Sequence, residues 1–137
     1  MPSPSPTPST EITRDDFWTI ERSAIPPMLR ITRSNAKYER VQDIDTSSQI
    51  VLDVMSRFDR SRYRLLVDLR EGPFRTDRAF EERFEKFRAE MLRGYARTAI
   101  LVRSAVGKLQ VQRHAREDAT PLQVFDDETA ALAFLAG

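Results

Sequence analysis

The side chains that could do chemistry in this chain are few, and their spacing decides between a reaction and a recognition surface. The single histidine, His114, sits four residues ahead of Asp118 in "LQVQRHARED", so a helix would bring the two together as base and orienter. No nucleophile accompanies them, and a surface histidine paired with an acid is the commoner outcome. Cysteine is absent, which excludes disulfides, thiolate metal sites and cysteine nucleophiles, and one imidazole is too few for a metal centre. Glutamates 81, 82, 85 and 90 also invite an acid and base reading. Pairing Glu82 with Lys86 and Glu85 with Arg88 explains them more simply as an exposed helix face. The remaining candidate is the junction in "YRLLVDLREGPFRTDRAFEERF" (63–84), where an apolar run ends in Asp68 and an arginine-rich turn leads into a helix. Asp68 beside Arg70 or Arg103 could recognise a charged group; the expected role is to accept backbone N–H bonds from the next loop. Phe74, between Pro73 and Arg75, either plugs the sheet end or waits for a partner.

The elements that must position these residues follow from periodicity. "DDFWTIER" (15–22) and "MLRITR" (28–33) alternate as strands, Trp18 and Ile20 sharing one face, with Pro26 and Pro27 in the connection of an antiparallel hairpin. Residues 38–58 carry Val41, Ile44, Val51, Val54, Met55 and Phe58 at helical spacing, although Thr46, Ser47 and Ser48 could cap a shorter helix. "RLLVDLR" (64–70) reads as a strand covered on both faces. Phe80, Phe84, Phe87, Met91 and Tyr95 form a helix stripe stopped by Gly94. That stripe is core first and, second, a candidate apolar ligand pocket at Phe80, Phe84, Phe87 and Met91. "RTAILVR" (97–103) is a further buried strand, 104–118 a weaker helix, 122–125 a short strand, and 126–137 a helix capped by Asp126 and ended by Gly137. The expected fold is α/β: a five-stranded mixed, mostly parallel sheet with four helices in the order β-β-α-β-α-β-α-β-α. Asp68, Arg70, Glu71, Phe74, Arg75, Arg103, Ser104 and Gly107 then gather beyond the strand ends.

The 137 residues suit one domain, and the near-balanced charge, +1 overall from 22 basic and 21 acidic residues, gives no gross signal for nucleic acid. "RSRYR" (60–64) is the best RNA-like stretch, and it reads more simply as a connection. "MPSPSPTPST" has neither the basic nor the apolar region of a signal peptide, so residues 1–13 are expected to form a disordered Pro/Ser-rich tail before a domain at 14–137. No apolar run approaches the roughly 18 residues of a membrane span. A cytoplasmic protein without stable membrane insertion is expected.

This order, with the strands in "LLVDLR" and "AILVRSAVG" and the end "VFDDETAALAFL", resembles the STAS domain of sulfate transporters and anti-sigma-factor antagonists, in particular its small stand-alone bacterial members. The resemblance implies a regulatory, non-enzymatic module without a cofactor that binds a protein partner; some members of the family are thought to bind nucleotide or lipid. Phospho-switched members carry an Asp-Ser-Ser/Thr-Gly-like motif after the equivalent strand. Here "DLREGPFRTDRAF" keeps Asp68 and Leu69 but offers only Thr76 near the helix start, where Arg75 and Arg78 would favour a phosphate. Thr76 is more simply an N-cap. Arg70, Phe74, Arg75 and Arg78 are the expected partner-binding residues, because arginine and aromatic side chains concentrate interface energy. A carrier of an apolar, lipid-like ligand and, last, a small hydrolase or transferase built on His114 are the alternatives. An open edge at the N-terminal strand makes a homo-oligomer plausible.

Overall fold

The computed structural model describes residues 10–24, 27–73, 78–104, 107–109, 111–113 and 122–137. Strands β1 (Thr10–Arg14), β2 (Trp18–Ala24), β3 (Pro27–Arg33), β4 (Arg64–Asp68), β5 (Arg97–Leu101) and β6 (Gln123–Phe125) lie side by side in chain order in one sheet. β1, β2 and β3 pair antiparallel, and β3 through β6 run parallel. Helices α1 (Val41–Met55), α2 (Arg78–Met91) and α3 (Glu128–Ala136) join a further helical segment at 107–109 and 111–113. The parallel ladder and the alternation with helices match the expected architecture.

The sheet has six strands, one more than expected, because Thr10–Arg14 belongs to it rather than to a tail. Ile12 packs against the core, and the edge of β2 supplies the backbone partners that a short polar strand cannot supply for itself. Residues 1–9 lie outside the described residues. Pro27 likewise opens β3, opposite Ala24, where its missing N–H falls at the first position of a strand.

Every crossover along β3, β4, β5 and β6 steps the same way, so right-handed connections put their helices on one face. There Leu29, Ile31, Leu65, Val67 and Ile100 meet Val51, Val54 and Met55 of α1 and Phe87 and Met91 of α2. On the opposite face Leu66, Ala99 and Leu101 meet Ala131 and Leu135 of α3. Leu65 to Val67 are therefore buried from both sides, as the unbroken apolar run requires.

The ends of α1 differ from expectation. Asp43 accepts a hydrogen bond from the backbone N–H of Arg40 at 3.0 Å and closes the helix start, so no serine cap is needed. Ser47 is instead buried mid-helix and donates to Asp15 at 3.1 Å, while Tyr38 donates to Ser47 and Trp18 Nε1 donates to Tyr38 Oη at 2.9 Å. This buried chain ties α1 to the turn between β1 and β2, where Asp15 also accepts from the N–H groups of Phe17 and Trp18. Gly94, with φ of 89°, ends the α2 region in the left-handed conformation expected of it. Asp127, not Asp126, caps α3 by accepting from the Ala130 N–H at 3.1 Å.

Candidate functional site: the rim beyond the strand ends

Parallel strands bring their carboxyl ends to one edge of the sheet, and the ladder carries on past them: Leu69 N–H donates to the Leu101 carbonyl and Val102 N–H to the Phe125 carbonyl, each at 2.8 Å. The first side chain on this rim is Asp68, which is 4% exposed. It accepts from the backbone N–H of Arg70 at 3.1 Å and from the Arg70 guanidinium through both oxygens, at 3.1 and 2.9 Å. Asp68 thus accepts the backbone N–H of the next loop, as expected, and its side chain also pairs with the Arg70 guanidinium. Arg103 is not its partner; that guanidinium sits 3.7 Å from Glu71.

A second arginine completes the group. Arg30 of β3 lies opposite Leu66 and on the same face as Asp68, to which it donates at 2.9 Å. Arg30 and Arg70 both also donate to Glu128 at the start of α3. Burial pushes the Asp68 carboxyl up, but the hydrogen bonds from Arg70 and Arg30 outweigh it and hold the group below the usual carboxylate range. A carboxylate fixed by two guanidiniums is a brace for the rim, not a poised base. Spacing alone did not single out Arg30 or Glu128. The signal available was the two-residue period of β3, which puts Arg30 opposite Leu29 and Ile31 and so on the face that Asp68 must share once β3 and β4 pair.

A third arginine, Arg33, ends β3 and is 4% exposed. Its guanidinium lies 4.6 Å from the Tyr38 ring centre and 5.4 Å from that of Phe17, and it donates to the Ser34 carbonyl at 2.8 Å. Burial lowers its pKa, with Tyr38 and Asp15 working the other way. The loop after β4 crosses it closely: a Cβ on Gly72 would come within 3.0 Å of Arg33 Cγ. Glycine lets this turn lie on the arginine stem.

Further out the rim is exposed. The Glu71 and Arg103 side chains are 68% and 67% accessible, and Arg78, the first residue of α2, pairs with Glu82 at 3.2 Å. Arg78 thus takes the role expected of Lys86 as the partner of Glu82. The N–H of Gly107 donates to Ser104 Oγ at 3.1 Å, which makes Ser104 the start of the helical segment that follows. Arg70, Glu71, Arg103 and Ser104 therefore share this rim. Phe74, Arg75, Thr76, His114 and Asp118 lie outside the described residues.

Two other expectations are placed elsewhere. Phe80 and Phe84 pack with Tyr38, and Phe87 and Met91 pack in the main core, so the stripe fills the space beneath α2 with its own side chains. In "RSRYR", Arg60 closes the end of α2 by donating to the carbonyls of Glu90 and Arg93, Tyr63 packs on Phe58, and Arg64 reaches the Gly137 carbonyl. Among the described residues no group of three histidine, aspartate or glutamate side chains converges to hold a metal ion, and no helix is long and apolar enough to cross a membrane.

No protein-family model matches the chain, and no curated protein matches it. Among solved structures it is similar to an uncharacterized protein of the DUF3478 family with a SpoIIAA-like fold, from Shewanella loihica PV-4. The TM-score is 0.64 at 14% sequence identity, over 97% of this chain and 99% of that one. Identity this low speaks to architecture alone. The chain has a SpoIIAA-like, STAS-type α/β fold.

Proposed function

We propose that this protein is a non-catalytic regulatory module of the bacterial cytoplasm that binds a protein partner through the rim after the central strands. The observation that carries the reading is the division of the rim into two sets of charges. The inner set, Asp68, Arg30, Arg70 and Glu128, is locked by mutual hydrogen bonds. The outer set, Glu71, Arg103 and Arg78, stands on that rigid base with exposed ion pairs of the kind worth a few tenths of a kcal/mol, up to about 1. Such pairs exchange readily for a partner's charges, and Phe74 and Arg75, between Pro73 and Arg78 in the sequence, would add an aromatic anchor and a further cation.

The test uses a partner purified with the protein from its native cells and then titrated against variants. Arg78→Glu combined with Arg103→Glu is expected to weaken binding at least tenfold while leaving the thermal midpoint unchanged. Wild-type affinity in that double variant would remove the rim from consideration. An apolar-ligand carrier has less support, because Phe80, Phe84, Phe87 and Met91 are packed against protein.

A further inference from the structure

We propose that the edge of the sheet opposite the rim binds the sugar-phosphate backbone of a single-stranded nucleic acid, through arginines that the fold gathers from distant stretches of the chain. Parallel strands put their amino ends on this edge, together with the ends of the helices that lead back to them. Arg64 and Arg97, the first residues of β4 and β5, stand opposite each other in the ladder, so two guanidiniums start from neighbouring strands about 4.8 Å apart. Arg60 joins them from the turn before β4. The Ala96 N–H donates to the Tyr63 carbonyl at 3.1 Å and holds the two entry segments side by side. Arg22 comes in from β2, its guanidinium 5.8 Å from the ring centres of both Phe58 and Tyr63.

The positive charge gathered here is not cancelled. Asp59 pairs with Arg62 at 3.3 Å and Glu90 with Arg93 at 2.8 Å, and all four side chains are more than half exposed, so a phosphate can take the place of either carboxylate. Asp53 accepts from Gln49 instead. Arg22 and Arg57 are exposed and meet no carboxylate among the described residues. Arg60, Arg64 and Arg97 donate to main-chain carbonyls at the ends of α2 and α3, where the helix dipole amounts to about half a charge per helix. A surplus of guanidinium charge remains, and the overall charge of +1 conceals it.

The kind of cation and its setting select the ligand. Every basic residue named on this edge is an arginine, and a forked guanidinium grips phosphate oxygens in pairs where lysine offers a point charge. Arg60 lies 5.3 Å from the Tyr95 ring centre, as Arg22 lies over Phe58 and Tyr63. A guanidinium held on a ring is already placed, so it loses little freedom when an anion arrives. A lipid surface fits less well. Among the described residues the exposed large apolar side chains are Ile50, Leu109 and Leu132, which lie outside these stretches, so the edge has nothing to insert between lipids. A duplex fits less well too, because groove reading needs a helix or ribbon and this edge is built of turns and strand starts. The edge lies across the sheet from the rim, so it can fail or succeed independently of the partner reading.

The experiment is a fluorescence-anisotropy titration of the full chain into labelled dodecamers of uridylate and of thymidylate, with a DNA duplex, polyglutamate and phosphatidylserine-containing vesicles as competitors. At least one single strand is expected to bind saturably, the tighter of the two marking RNA or DNA as the source. Log Kd should rise with log salt concentration with a slope of about 3, from about four phosphates at roughly 0.7 each. Arg57→Glu combined with Arg62→Glu should weaken binding at least tenfold at an unchanged thermal midpoint, and Arg93→Glu alone several-fold. Arg78→Glu combined with Arg103→Glu, on the rim, should leave it at the wild-type value. Absence of saturable binding, a salt slope near zero, wild-type affinity in both edge variants, an equal loss in the rim variant, or competition by duplex, polyglutamate or vesicles as strong as by unlabelled single strand would each overturn the proposal.

Discussion

Asp68 gathers donors from one neighbouring strand, β3, and from the turn after β4, so its loss leaves two guanidiniums short of a partner. Asp68→Asn is expected to destabilise the fold by about 1 to 3 kcal/mol, read from urea denaturation, since Arg30 keeps Glu128 as a second partner. Because the carboxyl is held below its ordinary value in the folded protein, its contribution is complete above a pH of about 4 and is lost as the pH falls through the lowered value. Thermal midpoints measured between pH 2 and 6 should therefore drop less steeply for Asp68→Asn than for the wild type. Tyr38→Phe removes the hydroxyl between Trp18 and Ser47 and should cost about 1 to 3 kcal/mol by the same measurement. The position of Asp68 was legible from the sequence, since a lone acid ending an apolar run must meet donors. Its partner Arg30 was not, because the register between β3 and β4 is set by packing of both strands and appears in neither alone. Arg33 escaped notice for a related reason: an arginine reads as surface until the aromatic side chains that enclose it are brought together from distant positions.

Among the elements, the helix stripes were legible because α1 and α2 each bury one face against a sheet, and the 3.6-residue period records that burial directly. β1 was not, since "TEITR" offers one apolar side chain and forms a strand only because β2 lies beside it. Ser47 and Ser48 were read as possible caps from their residue type, yet both are buried within α1, and Ser47 is bonded there to Asp15 and Tyr38. At the end of the α2 region, Gly94 adopts a positive φ, so Gly94→Ala should cost about 1 to 2 kcal/mol in thermal or chemical denaturation.

Taken as one body, the chain builds its sheet by adding each strand beside the last, from β1 at one border to β6 at the other. β1 covers the longer edge of β2, which the sequence reading had left open. Deleting residues 1–14 should expose the seven residues of β2 as an unpaired edge and raise the apparent mass in light scattering, whereas the full chain keeps that edge closed. α3 has a different kind of attachment. It buries Ala131 and Leu135 on the sheet, presents Leu132 with 37% of its surface exposed, and is fastened by Glu128 at its start and by Arg97 and Arg64 at its finish. A segment secured mainly at its two tips and only thinly along its length is the natural place for the molecule to open first. Deuterium should reach the amides of 131–136 well before those of Leu65 to Val67, and concentrated salt should widen that interval by loosening the fastenings while the interior stays shut.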